Sequence, residues 1–167
     1  MKQAFLFLLL ISTPLPSQAV DMAFGRIAYV SGANALNAII DPVTGAMTCN
    51  NQADYTCPPS GTRASFLIPG DRGQQVDMRC RRSPEISNGD AVLRVRNVML
   101  HIGGVTEECR GTGNSIMIHT LTGNQAQDTA YLGARLRIRN GESSDLSGVF
   151  NTTNAGGQDL RIRYLFI

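Results

Sequence analysis

Hydrophobic positions recur at every second residue in one segment of this chain after another. In residues 158–167 (QDLRIRYLFI), Leu160, Ile162, Tyr164 and Phe166 fall on one side of an extended chain, and Arg161 and Arg163 on the other. Period two marks a strand with one dry and one wet face. The run reaches the last residue, so it is expected to be a member of a sheet and not a tail. Residues 129–139 alternate in the same way: Leu132, Ala134, Leu136 and Ile138 face inward, with Arg135, Arg137 and Arg139 outward. Residues 75–82 set Val76, Met78 and Cys80 against Asp77, Arg79 and Arg81.

Shorter candidates fill the rest. They are 22–30, 35–40, 46–49, 62–68, 115–121 and a start at Val149–Phe150, with turn chemistry between them. Asp41-Pro42-Val43-Thr44-Gly45 and Pro69-Gly70-Asp71-Arg72-Gly73 are such turns. The longest candidate, 91–102 (AVLRVRNVMLHI), changes phase between Val95 and Val98; a β-bulge near Asn97 restores it. Segments 83–90 and 103–114 read as loops, and 151–157 as a hinge. No stretch carries a sustained 3.6-residue stripe. Eight or nine short strands at roughly ten-residue spacing predict an all-β fold. Its expected form is an immunoglobulin-like antiparallel β-sandwich of about 7–9 strands, with a closed barrel as the alternative.

The first residues read as an export leader. Lys2 is followed by the apolar run 4–11 (AFLFLLLI), a Thr13-Pro14-Leu15-Pro16 break and the small residues Ser17-Gln18-Ala19. Cleavage after Ala19 would leave one domain, 20–167. The apolar run is shorter than the roughly 20 residues a membrane-spanning helix requires, and no later stretch approaches that length. An exported chain with an even number of cysteines points to disulfides. Cys49, Cys57, Cys80 and Cys109 allow three pairings. Sequence neighbours close the smaller loops, which favours Cys49–Cys57 with Cys80–Cys109. Zinc ligation would usually require a C-x2-4-C pair, and the chain has none.

Charge changes the picture little. Lysine and arginine number 15 against 13 acids, and Lys2, in the leader, is the sole lysine. A near-neutral domain with dispersed arginines is no general nucleic-acid binder. No nucleophile–base–orienter set and no G-x-S-x-G elbow is present, so the chain reads as non-enzymatic, without cofactor or metal. His101 and His119 each stand alone in a strand. The glycine-rich run 111–115 has no following lysine and is no phosphate loop. Asp41, Asp71 and Asp90 sit in turns, where such residues usually bind their own backbone. Asn151-Thr152-Thr153 matches a glycosylation acceptor, relevant only in a eukaryotic secretory pathway. If the strands bearing Arg135, Arg137 and Arg139 and bearing Arg161 and Arg163 paired, the five would form one face. That face would be a candidate for anions or an acidic partner, although a solvated outer face is the favoured reading of such rows.

Four stretches occur in an order that carries a likeness: 22–28 (MAFGRIA), 41–45 (DPVTG), 64–70 (ASFLIPG) and 132–138 (LGARLRI). Together they resemble the domain-of-unknown-function 4402 family of bacterial secreted pilin-like domains, related to spore-coat-protein-U-like and chaperone–usher pilin subunits. The resemblance implies a sandwich lacking one strand, in the periplasm or on the cell surface, completed by an extended segment of a neighbouring subunit or a periplasmic chaperone. Leu160, Ile162, Tyr164 and Phe166 would then form the edge used in fimbrial assembly. The chain departs from pilins in one respect: cleavage after Ala19 leaves only Val20-Asp21 before Met22, without a donor arm. The loop between Cys49 and Cys57 also has no counterpart in the pattern.

Overall fold

A computed structural model describes residues 22–29, 35–50, 55–87, 92–138, 148–151 and 162–167. The leader, the Thr152-Thr153 part of the glycosylation acceptor, Asp90, Arg139, Leu160 and Arg161 lie outside the described residues.

Thirteen strands are present among the described residues, more than the 7–9 expected: β1 (Ala23–Tyr29), β2 (Leu36–Ile40), β3 (Met47–Cys49), β4 (Tyr55–Thr56), β5 (Ala64–Leu67), β6 (Gln75–Cys80), β7 (Glu85–Ser87), β8 (Val92–Ile102), β9 (Val105–Glu108), β10 (Met117–Thr120), β11 (Thr129–Ile138), β12 (Gly148–Asn151) and β13 (Ile162–Phe166). Every pairing is antiparallel. Ten strands form one sheet along the path β3-β2-β11-β8-β7-β12-β1-β4, with β5 also on β11 and β9 on β8. The other three form a second sheet, β10-β6-β13. One core joins the two: Val76, Met78, Cys80 and Ile162 of the small sheet are buried with Leu36, Val95, Leu100, Leu132 and Leu136 of the large one. This is the antiparallel β-sandwich that the alternation predicted.

β11 is the axis of the large sheet. β8 lies along one side of it, while β2 and β5 share the other, β2 at 134–138 and β5 at 129–132. Its inward set, Ala130, Leu132, Ala134, Leu136 and Ile138, is almost fully buried. The phase change in β8 is resolved as expected. Asn97 takes a positive φ of 49°, and the register against β11 slips between Gly133 and Arg135. Val95 and Val98 therefore both reach the core. Opposite the bulge, Gly133 has no room for a side chain: an added Cβ would collide with the Ile40 carbonyl oxygen. A mutual hydrogen-bonded bridge between Ala23 and Thr62 ties the start of β1 to the approach of β5, curling the sheet round the core.

Three strands fall where loops were expected, among them the two-residue β4 between Cys49 and Cys57. β9 returns along β8 through Gly103-Gly104, both at positive φ (55° and 81°), the conformation a tight two-residue hairpin requires. β7 is a three-residue, largely polar segment that pairs with the next strand, β8, and with the distant β12. Both disulfides follow the favoured pairing, with Cα–Cα distances of 6.6 Å for Cys49–Cys57 and 5.1 Å for Cys80–Cys109. Asp41 satisfies its own turn, accepting hydrogen bonds from Val43 N, Thr44 N and the Thr44 hydroxyl. The Thr44 amide is the main influence holding its carboxyl below the ordinary value, against a smaller opposing effect of burial.

Candidate functional site

The small sheet presents the feature with the clearest capacity for interaction. β13 pairs with β6 through Ile162–Cys80, Tyr164–Met78 and Phe166–Val76 on the core face, and Arg163–Arg79 and Leu165–Asp77 on the outer face. The core-side partners on β6 are completely buried, but β13 is progressively uncovered. Ile162 is 3 % exposed, Tyr164 half-buried and Phe166 45 % exposed. The Tyr164 and Phe166 rings meet edge to face at 5.8 Å. Phe166 also lies over Gly70, where an added Cβ would sit 3.1 Å from its ring. Leu165, Ile167 and, on β10, Ile118 add exposed apolar side chains around the same end of the sheet.

Backbone polarity coincides with this gradient. Ile167 N donates to Gln75 O, so 167, 165 and 163 direct their main-chain groups at β6. The alternate residues Ile162, Tyr164 and Phe166 direct theirs at the opposite edge, which carries no strand among the described residues. The donors Ile116 N and Gly111 N reach Met78 O and Cys80 O on the far side of β6, consistent with the same alternation. The residues whose edge groups meet no strand among the described residues are therefore the ones whose side chains lose cover toward the end of β13.

Asp77, expected on the wet face, is 7 % exposed. It lies between Ile118 and Leu165 in register, and Arg79 closes over it with an ion pair of 2.7 Å. The two arginine rows do not form one face. Arg135 and Arg137 are exposed on β11 in the large sheet, opposite Ile39 and Asn37, whereas Arg163 belongs to the small sheet. The condition for a five-arginine surface thus fails, because β11 is already flanked on both sides by other strands.

Nor do the histidines stand alone. His101 and His119 line one cavity of about 590 Å3 with Tyr131, Thr122 and Gln127. His101 Nδ1 is 2.7 Å from the Thr106 hydroxyl, and His119 Nε2 is 3.1 Å from Asp128 Oδ1. Asp128, 3 % exposed, also accepts from Thr122 N, the Thr122 hydroxyl and Gly123 N. Burial alone would raise its carboxyl pKa. The bonds from Thr122, His119 and Gly123 outweigh that effect and hold it below the ordinary value. This constellation locks the connection between β10 and β11. Nothing in the periodicity marked Asp128, since its partners are assembled by the loop's own fold. Among the described residues no group of three or more histidine, cysteine or acidic side chains is placed to hold a metal ion.

No curated protein and no solved structure matches the chain. A family match runs over residues 15–155 and takes in all four stretches that carried the likeness, with β13 beyond its end. On that match the chain belongs to the family described as Domain of unknown function (DUF4402).

Proposed function

We propose that this protein is a non-enzymatic, exported structural or interaction subunit that associates by β-strand addition along the edge of β13 that no described strand occupies. Its partners would be other surface or fimbrial subunits, or a periplasmic chaperone. The reading rests on one observation: Ile162, Tyr164 and Phe166 combine edge-facing main-chain groups with core-facing side chains that lose cover toward the end of the strand. A strand laid beside β13 would satisfy the first and cover the second, and strand addition draws affinity and specificity from those two sources. An open edge is otherwise a liability for aggregation.

The test is a titration of the purified protein with a synthetic peptide of alternating apolar and polar residues, followed by thermal melting and amide hydrogen exchange. Binding at a hundredfold excess over Kd should stabilise the fold by about 2.7 kcal/mol and slow exchange at the Tyr164 and Phe166 amides. Phe166→Asp should abolish that response yet melt within a few degrees of the parent, because the ring is already half in solvent. A rigid monomer whose Tyr164 and Phe166 amides are protected without peptide would sink the reading.

A further inference from the structure

We infer that the cleft lined by Arg81, Arg82, Ser83, Gly111, Thr112 and Arg163 is a binding site for an acidic saccharide, an oxyanion carried on a hydroxylated ring. The cleft forms where β6 ends. Cys80 is tied to Cys109 by a disulfide, and Gly111 N donates to Cys80 O, so the segment 109–112 is pinned beside the emerging Arg81–Ser83. Arg79 Nη1 donates to Gly113 O and holds the same loop from the strand side. β13 closes the other wall, its Arg163 in register with Arg79. The adjacent Arg81 and Arg82 and the distant Arg163 thereby line one space.

Among the described residues, the side chains lining this cleft carry charge of one sign. Like charges opposite each other on a sheet are unfavourable, and Arg79 is neutralised within its own strand by Asp77. Arg82 and Arg163 form no ion pair with any other described residue, and none of the described lining side chains is acidic. A concave basic surface concentrates its field on an incoming anion, and the guanidinium fork matches carboxylate, sulfate and phosphate alike.

Size and hydroxyl chemistry argue for more than a bare ion. The cleft measures about 440 Å3, within the roughly 300–1,000 Å3 of small-molecule sites and far above the approximately 30 Å3 of one water. Ser83 and Thr112 can both donate and accept. A simple anion uses donors only, whereas a sugar hydroxyl uses both. The cleft uses the Arg163 side chain on the outer face of β13 and not the main-chain groups of its other edge, so saccharide binding does not require strand addition.

The test is calorimetric titration of the purified full chain with trigalacturonate, a neutral galactose trisaccharide and inorganic phosphate, at low and at physiological salt. Trigalacturonate should bind and weaken with salt, and the neutral sugar should not bind. Arg82→Gln should weaken binding by about tenfold, the loss of one charge-assisted contact. The double variant Arg82→Gln/Arg163→Gln should weaken it further, and Arg135→Gln/Arg137→Gln should leave it unchanged. Unaltered circular dichroism and melting would confirm that these exposed substitutions fold. If phosphate binds as tightly as trigalacturonate, the saccharide half of the inference falls. If the control pair loses as much as Arg82→Gln, or no acidic probe binds, the site itself falls.

Discussion

Replacing Asp128 by alanine should be among the most damaging single changes outside the hydrophobic core. The carboxylate accepts from four donors: Thr122 N at 3.0 Å, Gly123 N at 2.9 Å, the Thr122 hydroxyl at 3.2 Å and His119 Nε2 at 3.1 Å. Hydrogen bonds to a charged group contribute about 1.5–3 kcal/mol each, so a plain sum would exceed 6 kcal/mol. That sum is too large, because Gly123 is exposed and its amide can turn to water. The buried share is the Thr122 amide and His119, which gives a loss of about 3–4 kcal/mol. For a domain of this size that lowers Tm by roughly 6–16 °C. Asp128→Asn keeps one acceptor oxygen but turns an amide NH2 toward donors, and should cost about 1–3 kcal/mol. Urea unfolding at pH 7 and differential scanning calorimetry read both variants. The pH dependence has a definite sign. A carboxyl whose folded pKa is depressed contributes stability that is fully present above its unfolded value, 3.8, and is lost as pH falls through the folded value. The gap between parent and Asp128→Asn should therefore narrow below pH 3.8. A cost under about 1 kcal/mol for the alanine variant would refute this reasoning, as would a gap that widens in acid.

Further outcomes follow from packing and loop closure. Gly133→Ala should destabilise by about 1–3 kcal/mol in urea unfolding, because its Cβ would meet the Ile40 carbonyl and the Pro42 nitrogen, backbone atoms that cannot swing away. Removing Cys80–Cys109 with paired serines should cost more than removing Cys49–Cys57. Their sequence separations are 29 and 8, and loop entropy gives about 3–4 against about 2–3 kcal/mol. Equal losses in a thermal melt would contradict that ordering.

Period-two alternation was enough to identify the longer strands and, Asp77 apart, their faces. Leu132, Ala134, Leu136 and Ile138 are buried, and Arg135 and Arg137 are exposed, as the pattern requires. The bulge at Asn97 was legible because a phase change of one residue has only that remedy in a continuous strand. The short strands β7 and β9 were not. They are three and four residues of largely polar sequence, and their pairing comes from partners and not from hydrophobicity. The Gly103-Gly104 dipeptide did carry a hairpin signal, which the acidic, glycine-rich surroundings obscured.

By itself, then, the sequence determined an all-antiparallel fold, its core faces and the sequence-neighbour preference among cysteine pairings, since each depends on local periodicity or local loop length. Only the tertiary structure decided which sheet each strand joined. That choice separated Arg135 and Arg137 from Arg163, left one edge of β13 without a strand among the described residues, seated Asp128 under His119, and brought Arg81, Arg82 and Arg163 to one cleft. Alternation specifies which side of a strand is dry, but the identity of its neighbour is set by competition among all strands for the same edges, and a strand's own residues do not record it.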